Sequence, residues 1–474
     1  MKTQPTRVLI LGGGFAGVYA AMRLEQLLPA DEAEITLVSR DNFFLFTPML
    51  HEVAASDVDI THIVSPLRAL LRRTRVVIGE VESVDLGDRM GGEMMAGERA
   101  AIVRHGFDGH PHRLACDHLV LALGAITNFY GLPGLEQHAL TMKTLGDAIH
   151  LRNRLIAALE EADNECASAG EGLLTCVVVG GGFAGTETIA AVNDFVREAL
   201  RYYPRIKADR LRMVLVHAGP TLLPELGSEL GRYAEQKLVA RGVEVRVNAK
   251  VQAVTSSDVH LADGTVIPSR LVVWTAGTSP HPLLSTLPCG HDHGRVVAED
   301  TLAVPGFPGV WALGDCAVVP DHRTGRSHPP TAQHALREAK TLAGNIVATM
   351  RGRPLARFDF RTIGQLAAIG RRTGVARLFG VNFSGFFAWW LWRTIYLGKL
   401  PRLEKKIRVA LDWTLDLLFT KDFVQFLAER EQTDVMVHHH NRAAALDDHR
   451  AVATQSTGEA TGAVASPVLM EMTR

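Results

Sequence analysis

Cysteine is scarce in this chain of 474 residues, which holds five cysteines and no C-x-x-C pair. A disulfide framework is therefore excluded, and a reducing compartment is expected. Long hydrophobic runs are also missing: no stretch reaches roughly 18 apolar residues without a charge, as a transmembrane helix requires. The chain also lacks an excess of charge of either sign, because its 50 Lys and Arg residues are balanced by 51 Asp and Glu residues. A nucleic-acid binder with a global basic field is thus excluded.

Aromatic residues make up only 6% of the chain, but 47% of it is hydrophobic, which is typical of a globular protein. At roughly 150 residues per domain, the length predicts about three domains. The start, with Lys2 and Arg7 before an apolar run, superficially resembles a secretion signal. Three glycines at 12–14 interrupt that run, so we predict a strand, a turn and a helix instead.

One strand–turn–helix–strand pattern occurs twice. Residues 8–11 form an unbroken apolar strand pattern before a glycine-rich turn and a helix, and the next strand covers 34–39. The pattern returns at 176–179, with a helix to about Arg201 and a strand at 213–216. Two such βαβ units indicate a duplicated dinucleotide-binding architecture.

The first turn has the spacing Gly12-x-Gly14-x-x-Gly17. These glycines permit a tight turn, close approach of a pyrophosphate, and close packing of the helix on its strand. The helix N-terminus adds N–H donors and a positive dipole for the phosphates. The expected acidic ribose ligand falls on Ser39, which offers a weaker hydrogen bond or is simply a strand-end cap.

The second turn repeats the spacing as Gly180-x-Gly182-x-x-Gly185. Its strand-end position is His217, where a carboxylate would favour NAD and an arginine NADP. The choice between NADH and NADPH stays open, with NADH favoured because no arginine is adjacent. Glu187 lies in the first turn of the following helix, as a contact to the nicotinamide or as a helix-dipole cap.

Two dinucleotide units in one chain predict two cofactors that must meet, one held permanently and one exchanged. A further strand ends at Gly314-Asp315. An aspartate at this position can bind the ribityl hydroxyls of a flavin, and the next helix can point its N-terminus at the flavin ring. We therefore expect tightly but non-covalently bound FAD and transiently bound NADH.

Further motifs carry a family resemblance. The repeated Gly-Gly-Gly-Phe-Ala-Gly and the segments 275–280 and 309–317 resemble the two-dinucleotide flavoprotein superfamily. Within it, the segments 42–50 and 329–335 resemble type II NADH:quinone oxidoreductases. The resemblance covers about residues 5–425. It implies an α/β fold with two Rossmann-like domains and a C-terminal amphipathic helical membrane-binding region.

The resemblance also implies a domain plan. An FAD-binding domain would comprise 1–143 and 287–350, and an NAD(P)H-binding domain 144–286. A membrane-anchoring region would span 351–430, while the composition of 431–474 predicts a disordered tail. The implied reaction passes hydride from NADH to FAD and two electrons to a membrane quinone, without proton pumping. The protein would be peripheral (monotopic), at the cytoplasmic face of the cell membrane.

Site residues follow from the motifs and the resemblance together. Glu187 is implied as a catalytic residue near the nicotinamide, and Gln333 as one beside the quinone pocket. Lys143 matches a family motif or is a surface lysine, and Arg337 replaces a glutamine common in the family. The expected cofactor-binding residues are Gly12, Gly14, Phe15, Ala16, Gly17, Ser39, Arg40, Thr47, Val81, Gly124, Gly314, Asp315, Ala332, Gln333, Gly180, Gly182, Phe183, Gly185, Glu187, His217 and Gly277.

The C-terminal part has its own pattern. The aromatic block 383–392 precedes six basic residues, and Pro401 divides the pattern in two. We predict an interfacial hairpin over about 378–430 on an anionic lipid surface. A core element or a homodimer interface is the alternative. The basic residues expected to face lipid headgroups are Arg393, Lys399, Arg402, Lys405, Lys406 and Arg408.

Three other functions stay open: a soluble flavin reductase with a protein acceptor, a quinone reductase with another donor, and a flavin-binding redox sensor. Dithiol or sulfide chemistry needs cysteines beside the flavin, and 42–56 contains none. Cys316 is expected to be a packing residue. The segment 289–293 combines cysteine and histidine, but it lacks a second ligand pair, so we predict no metal site.

Overall fold

The computed structural model describes residues 4–87, 89–90, 93–94, 99–106, 109–164 and 171–426, so the predicted tail at 431–474 lies outside the described residues. Residues up to Val424 form one compact unit. Strands of its N-terminal part are β1 (Thr6–Leu11), β2 (Ala33–Ser39), β3 (Phe43–Leu45), β4 (Val64–Pro66), β5 (Arg75–Asp85), β6 (Arg89–Met90), β7 (Glu93–Met94), β8 (Arg99–His105), β9 (Pro111–Cys116), β10 (His118–Leu121), β11 (Ala125–Thr127) and β12 (Ala139–Thr141). Its helices are α1 (Phe15–Leu27), α2 (Leu50–Ala54), α3 (Leu67–Leu70), α4 (Leu135–His138) and α5 (Leu145–Asn164).

The second glycine-rich turn opens the next set of elements. Its strands are β13 (Thr175–Val179), β14 (Arg212–Val216), β15 (Val243–Arg246), β16 (Val251–Val254), β17 (Asp258–Leu261), β18 (Val266–Pro268), β19 (Leu271–Trp274) and β20 (Thr278–Pro280), and its helices are α6 (Phe183–Ala199) and α7 (Ser228–Ala240). There follow β21 (His291–Asp292), β22 (Arg295–Val297), β23 (Val310–Ala312), β24 (Ala317–Val318), β25 (Pro320–Asp321), β26 (Arg326–Ser327) and α8 (Ala332–Met350). The C-terminal part forms β27 (Gly364–Ala368), β28 (Gly374–Leu378), β29 (Val381–Gly385), α9 (Phe386–Lys399) and α10 (Leu403–Leu418).

The first large sheet has the strand order β23-β10-β1-β2-β5-β8-β9. Strands β23 to β5 are parallel, while β8 and β9 are antiparallel additions. Leu9, Ile10 and Leu11 of the central strand β1 are at most 2% exposed. An unbroken apolar strand is expected where helices or other elements cover both faces of a parallel sheet.

The second large sheet has the order β12-β19-β13-β14-β15 and is entirely parallel. A two-stranded antiparallel ribbon, β11 with β20, joins the two sheets at both chain crossings. The first crossing lies between β11 and β12, a few residues before the predicted boundary at 143. Both glycine-rich turns follow the carboxyl ends of central strands, where ligands bind in open parallel sheets.

The C-terminal part consists of a small antiparallel sheet, β27-β28-β29, and two helices. Helix α9 ends at Lys399 and α10 begins at Leu403, so Pro401 separates two elements as predicted. Ala388 and Trp392 of α9 are buried against the rest of the unit. Among the described residues, none of the helices combines the length and apolarity needed to cross a bilayer.

Candidate active site

The three glycines of the first turn have different surroundings. Gly12 has φ +122°, and a Cβ there would lie 2.1 Å from the carbonyl oxygen of Ala122. A Cβ at Gly17 would lie 1.9 Å from the carbonyl oxygen of Gly12. Gly14 precedes α1, and no described atom lies within 4 Å of the Cβ position there. Only this glycine therefore faces open space at the helix N-terminus.

The second turn repeats the geometry closely. Gly180 has φ +116°, and a Cβ at Gly185 would lie 1.8 Å from the carbonyl oxygen of Gly180. Gly182 precedes α6 with open space at its Cβ position, counted over the described residues. In both turns, a glycine with open space at its Cβ position thus precedes a helix N-terminus, an arrangement that suits anion binding.

A cavity of about 560 Å³ lies between the two turns and reaches the C-terminal helix α9. This volume is within the usual range of ligand pockets, about 300–1,000 Å³. The predicted residues that line it are Gly14, Phe15, Ala16, Thr47, Gly124, Phe183, Glu187, Gly314, Asp315, Ala332 and Gln333, together with Lys143. The structure therefore brings residues from both dinucleotide units and from the segment after β23 into one site.

The other predicted residues are not part of that lining. Gly12, Gly17, Gly180 and Gly185 shape the turns, Gly182 caps α6, Ser39 and His217 end β2 and β14, Arg40 is exposed, Val81 lies in β5, and Gly277 precedes β20. Gly277 has φ +116°, and the ring of Tyr130 covers its Cβ position.

One end of the cavity collects charged groups and helix termini. Gly314 has φ +73° and donates its backbone N–H to Oε2 of Glu338 at 2.7 Å. Asp315 lines the cavity; burial raises its pKa, while Lys143 and Arg295 lower it. Burial lowers the pKa of Lys143, which donates to the carbonyl of Ala125 at 3.4 Å. An acid and a lysine thus face each other where α1 and α8 begin.

The two strand-end residues are held by their own turns. Nδ1 of His217 accepts the backbone N–H of Gly181 at 3.1 Å, and burial lowers the pKa of this histidine. His217 is therefore neutral at neutral pH. Ser39 is 7% exposed, and its Oγ lies 2.2 Å from the Cβ position of Gly13. A larger side chain at either glycine would collide with these residues.

Glu187 is buried, with 8% of its surface exposed. Its Oε1 accepts two hydrogen bonds of 3.0 Å, from the backbone N–H of Ala368 and from Nε1 of Trp392. Its Oε2 lies 3.8 Å from Nδ1 of His51. Burial, together with the nearby carboxyl of Glu52, raises the pKa of Glu187 to about 8. The raised pKa favours the protonated carboxyl, and Oε1 already accepts two N–H donors, which leaves Oε2 as the oxygen available to carry a proton.

Gln333 opens helix α8 on the wall of the cavity. Its Nε2 donates to the carbonyl of Gly364 at 3.2 Å, which fixes the side chain against β27. Arg337, one turn later, donates to the carbonyl of Gln333 at 2.9 Å and stacks 4.0 Å from the centre of the Phe360 ring. The arginine thus supports the backbone of Gln333 and does not line the cavity.

Sequence reasoning missed several residues of this wall, and three of them carry ionisable side chains. His51, Tyr396 and Lys399 line the cavity, and the last two come from the predicted membrane-binding region. Burial lowers the pKa of His51 to about 3, which keeps its ring neutral. Tyr396 and Lys399 could have been predicted to line a site, because they interrupt an otherwise apolar helix. His51 had no such signal, because burial rather than its neighbours in sequence defines it.

Two of the six predicted lipid-facing cations point inward instead, and a third, Lys399, lines the large cavity. Lys405 is 7% exposed and donates to the carbonyl of Thr61 at 2.8 Å. Arg393 stacks 4.2 Å and 4.6 Å from the ring centres of Trp389 and Trp413, beside the buried Glu52. The expectation for these two residues was wrong, because burying a charge is favourable where aromatic rings and a carboxyl receive it.

The outer face of α10 carries a stripe of exposed apolar residues, which we call the apolar stripe. The apolar stripe consists of Leu403, Ile407, Leu411, Leu415 and Leu418, each at least 50% exposed. The opposite face buries Lys405, Val409 and Trp413. Phe386, Phe387 and Trp390 of α9 are also exposed. Helix α10 is therefore amphipathic, with its apolar side unpartnered among the described residues.

The segment with cysteine and histidine has ordinary loop contacts. Nε2 of His291 lies 2.7 Å from the carbonyl of Leu284 and 3.8 Å from Sγ of Cys289. Across the described residues, no group of three or more ligating side chains could hold a metal ion. Cys316 is buried and donates its thiol to backbone carbonyls, consistent with a packing role.

Comparison with known proteins places this site in a class. The family model "Pyridine nucleotide-disulphide oxidoreductase" matches residues 6–339, which include both turns and the cavity wall up to α8. A second model, "NDH2 C-terminal domain", matches residues 363–422. The molecule is thus an oxidoreductase of the two-dinucleotide α/β class, extended by this C-terminal region.

Individual relatives narrow the class. The chain is 32% identical over 438 residues to "Type II NADH:quinone oxidoreductase Ndh" of Mycobacterium tuberculosis, covering 88% of this chain and 89% of that protein. It is 33% identical over 416 residues to "Demethylphylloquinone reductase NdbB" of Synechocystis, covering 86% and 95%. The chain belongs to the type II NADH:quinone oxidoreductase family.

Solved structures agree on the fold. The NDH2 structure from Plasmodium falciparum in complex with NADH superposes with a TM-score of 0.80 at 20% identity, over 88% of this chain and 99% of that chain. The sulfide:quinone oxidoreductase of Aquifex aeolicus gives a TM-score of 0.62 at 17% identity, over 88% and 96%. The α/β architecture predicted from the sequence is therefore confirmed.

Proposed function

We propose that this protein is an FAD-dependent NADH:quinone oxidoreductase that works at a membrane surface. The observation that carries the proposal is the shared cavity. It receives the N-terminal residues of both α1 and α6, together with Glu187 and Gln333. One site therefore accommodates a resident cofactor and an exchangeable nucleotide in contact with each other.

The residues of the first unit fit a flavin dinucleotide. Gly14 leaves space for a pyrophosphate, while Asp315 at the cavity wall can bind hydroxyl groups of the ribityl chain. The start of α8, at Ala332 and Gln333, supplies N–H donors toward the ring. A flavin bound here would supply the chemistry of hydride acceptance and two-electron transfer. The protein binds and orients the rings and excludes water.

The residues of the second unit favour NADH over NADPH. His217 is neutral and is engaged with the backbone of Gly181, so it offers no charge to a 2′-phosphate. Arg246 at the end of the neighbouring strand is paired with Glu244 at 2.5 Å. NADP recognition commonly uses an arginine that binds the 2′-phosphate. Neither of these two positions provides an unpaired arginine, which favours NADH.

Glu187 and Gln333 have separate tasks in this proposal. Glu187 lies two residues after the second turn and holds a proton next to the nicotinamide end of the cavity. Gln333 is fixed by Gly364 and presents its amide on the wall where a quinone headgroup would lie beside the flavin. Tyr396 and Lys399 bring α9 to the same wall, which suits entry of quinone from the membrane side.

The apolar stripe of α10 is proposed as the membrane-binding surface. An exposed apolar stripe on an amphipathic helix is typical of proteins that lie in the bilayer interface. Arg402, Lys406 and Arg408 add basic charge beside it for anionic headgroups. The surface would be that of the cytoplasmic face of the cell membrane. A second copy of the chain is the alternative cover for this stripe.

A rival reading as a sulfide:quinone reductase is weaker. Such chemistry needs a reactive thiol at the flavin, and burial raises the pKa of Cys316 to about 11. Cys316 also has its thiol engaged with the carbonyls of Leu121 and Leu313. This thiol is therefore a poor nucleophile.

An anaerobic stopped-flow experiment tests the proposal. The flavin-containing protein is mixed with NADH or NADPH, and bleaching of the flavin absorbance is followed. A short-chain quinone is then added in solution, or a long-chain quinone in anionic vesicles. We expect fast bleaching with NADH, slower bleaching with NADPH, and recovery with both quinone forms.

A charged variant of the apolar stripe, Leu411→Glu with Leu415→Glu, serves as the control. It should keep recovery with soluble quinone and lose it with vesicles. Absence of bleaching with either nucleotide would refute the NADH assignment, and bleaching without recovery would move the acceptor to a protein. A stable dimer in solution without vesicle binding would refute the membrane surface.

A further inference from the structure

A second, smaller cavity of about 30 Å³ lies behind Glu187. We call it the inner cavity. Glu187 and His51 line both the inner cavity and the large one, so they form the partition between the two. The other polar residues that line the inner cavity are Glu52, Asp57, Asp194, Arg371 and Arg393.

The size and chemistry of the inner cavity suit water. A cavity needs about 10–15 Å³ to hold one water molecule, so about two would fit. Nε2 of His51 and Nε of Arg393 are buried and have no hydrogen-bond partner among the described residues. A buried polar atom without a partner is costly, and water in a polar cavity removes that cost.

Glu52 is the carboxyl on the far side of this partition. It is 5% exposed, and its Oε2 accepts a hydrogen bond of 3.1 Å from the indole N–H (Nε1) of Trp413. Burial raises the pKa of Glu52 to about 8, as it does for Glu187, and the Glu52 carboxyl also raises the pKa of Glu187. Two buried acids on a common water cavity can therefore exchange a proton.

The inner cavity also reaches the protein surface. Arg371 lines it with 42% of its side chain exposed, and its backbone N–H donates to Oδ2 of Asp194 at 2.7 Å. Asp194 is in turn paired with Arg241 at 2.7 Å. A line of polar groups thus runs from solvent, past Asp194, to Glu52 and Glu187.

We propose that the inner cavity delivers the reaction's proton to the active site, with Glu52 as its proton store and Glu187 as its outlet. The inference rests on the proposed function. Reduction of a quinone by NADH takes up one proton: NADH + quinone + H⁺ gives NAD⁺ + quinol. Glu187 and Gln333 line the same cavity, so a quinone headgroup can reach Glu187 once NAD⁺ has left. The O–H bond of Glu187 breaks as an O–H bond of the quinol forms. Glu52 then passes its proton through cavity water to the Glu187 carboxylate, and solvent reloads Glu52.

His51 has a positioning role in this path. Its pKa near 3 keeps the ring neutral, and its Nδ1 lies 3.8 Å from Oε2 of Glu187, so the ring flanks the proton-bearing oxygen without adding a positive charge. The ring also contacts Trp392, with ring centres 5.5 Å apart. Trp392 of α9 donates to Glu187 and Trp413 of α10 donates to Glu52, so an indole of the C-terminal helices fixes each carboxyl.

The test compares Glu52→Gln with Asp412→Asn. Glutamine keeps an oxygen for Trp413 but cannot carry the proton. Asp412 contacts His62 at 2.5 Å and ties α10 to the N-terminal part, but it lines neither cavity. Asp412→Asn thus controls for loosening of α10. Both half-reactions are followed by stopped flow from pH 6 to 9, in H₂O and D₂O.

We expect Glu52→Gln to leave bleaching by NADH unchanged and to slow recovery with quinone at least about ten-fold, with a larger solvent isotope effect. The alkaline fall in the recovery rate, expected near pH 8, should move. Asp412→Asn should match the unmodified protein. Equal slowing of both half-reactions, or an unchanged recovery rate and pH profile, would overturn the proposal.

Two further readouts do not depend on quinone turnover or on this one variant. Trp413→Phe removes the N–H that stabilises the Glu52 carboxylate, so the alkaline limb should shift upward. Infrared titration of the resting protein should show a protonated-carboxyl band that is lost near pH 8 and weakened in Glu52→Gln. In that variant Glu187 should titrate at lower pH. If the resting protein shows no such band, the role of Glu52 as a proton store is refuted, even if the protein reduces quinone.

A failure of the proposed function would look different. The unmodified protein would then give no recovery with quinone, while the infrared coupling between the two carboxyls could still be measured. The charged and titratable groups that face Glu52, and would have to be held constant in interpreting its titration, are Arg393, Asp57, Lys421, His51, Glu187, Asp194 and Arg371.

Discussion

The two glycine-rich turns share one backbone and differ in their side chains. Val18 donates to the carbonyl of Gly14, and Thr186 donates to the carbonyl of Gly182, so α1 and α6 begin in the same way. Two residues after the last glycine of each turn, however, stand Tyr19 and Glu187. Tyr19 packs on the ring of Phe44 at 6.1 Å, whereas Glu187 lines both cavities.

On the proposed function, this difference distinguishes the turn that binds the resident flavin from the turn that binds the reacting nucleotide. The first turn is surrounded by aromatic packing, with Phe15 also 4.9 Å from Phe44, as suits a cofactor that stays. The second turn leads to a buried acid tied to α9 and β27. On the proposed function, the backbone of the duplicated unit would bind phosphates twice, while the side chain after each turn would assign the chemistry to the second copy.

The largest expected effect comes from substituting the middle glycine of each turn, because the two substitutions should affect different cofactors. Gly14 and Gly182 have φ of −84° and −77°, and no described atom lies near their Cβ positions, so valine fits both without backbone strain. Gly14→Val should abolish flavin binding by filling the pyrophosphate site. Gly182→Val should keep the flavin and raise the NADH concentration for half-maximal bleaching at least about ten-fold, or 1.4 kcal/mol.

Absorbance of the purified variants measures flavin content, and stopped flow measures the NADH dependence. Full flavin content in Gly14→Val would contradict the assignment of the first turn. Loss of flavin from Gly182→Val instead would reverse the two assignments.

The next effect tests the equivalent positions after the turns. Glu187→Gln keeps an oxygen for Ala368 and Trp392 but removes the titratable proton, so steady-state turnover should fall about ten- to a hundred-fold with flavin content unchanged. Tyr19→Phe is the matched variant and should retain turnover. Steady-state kinetics with NADH and soluble quinone give the comparison. Equal rates in both variants would show that turnover does not need the Glu187 carboxyl.

How far the sequence predicts this molecule depends on the distance between partners. The strands, turns and helices around Gly12 and Gly180 follow from local spacing, because a Cβ at Gly17 or Gly185 would collide with the carbonyl oxygen five residues earlier in the same turn. The bond from Trp392 to Glu187 spans 205 positions, and no local pattern encodes it.

The C-terminal region shows the same limit. Its two helices and the break at Pro401 were predictable from periodicity and proline. The direction of each cation was not, because Arg393 and Lys405 lie on the same helices as residues that face outward. Which side of a helix is buried depends on what it packs against, here Glu52 and the carbonyl of Thr61.

The smallest expected effect concerns the two strand ends, Ser39 and His217. His217→Arg places a permanent cation where the second turn would meet a 2′-phosphate, and it loses the acceptor for Gly181. We expect the preference for NADPH over NADH, as a ratio of kcat/KM values, to rise about ten-fold, or 1.4 kcal/mol. Ser39→Ala removes only a hydroxyl beneath the first turn and should leave that ratio unchanged. The first turn is assigned to the resident flavin. A change of nucleotide preference in Ser39→Ala would therefore mean that the exchangeable nucleotide binds at the first turn. The roles of the two units would then be the reverse of those inferred from Tyr19 and Glu187.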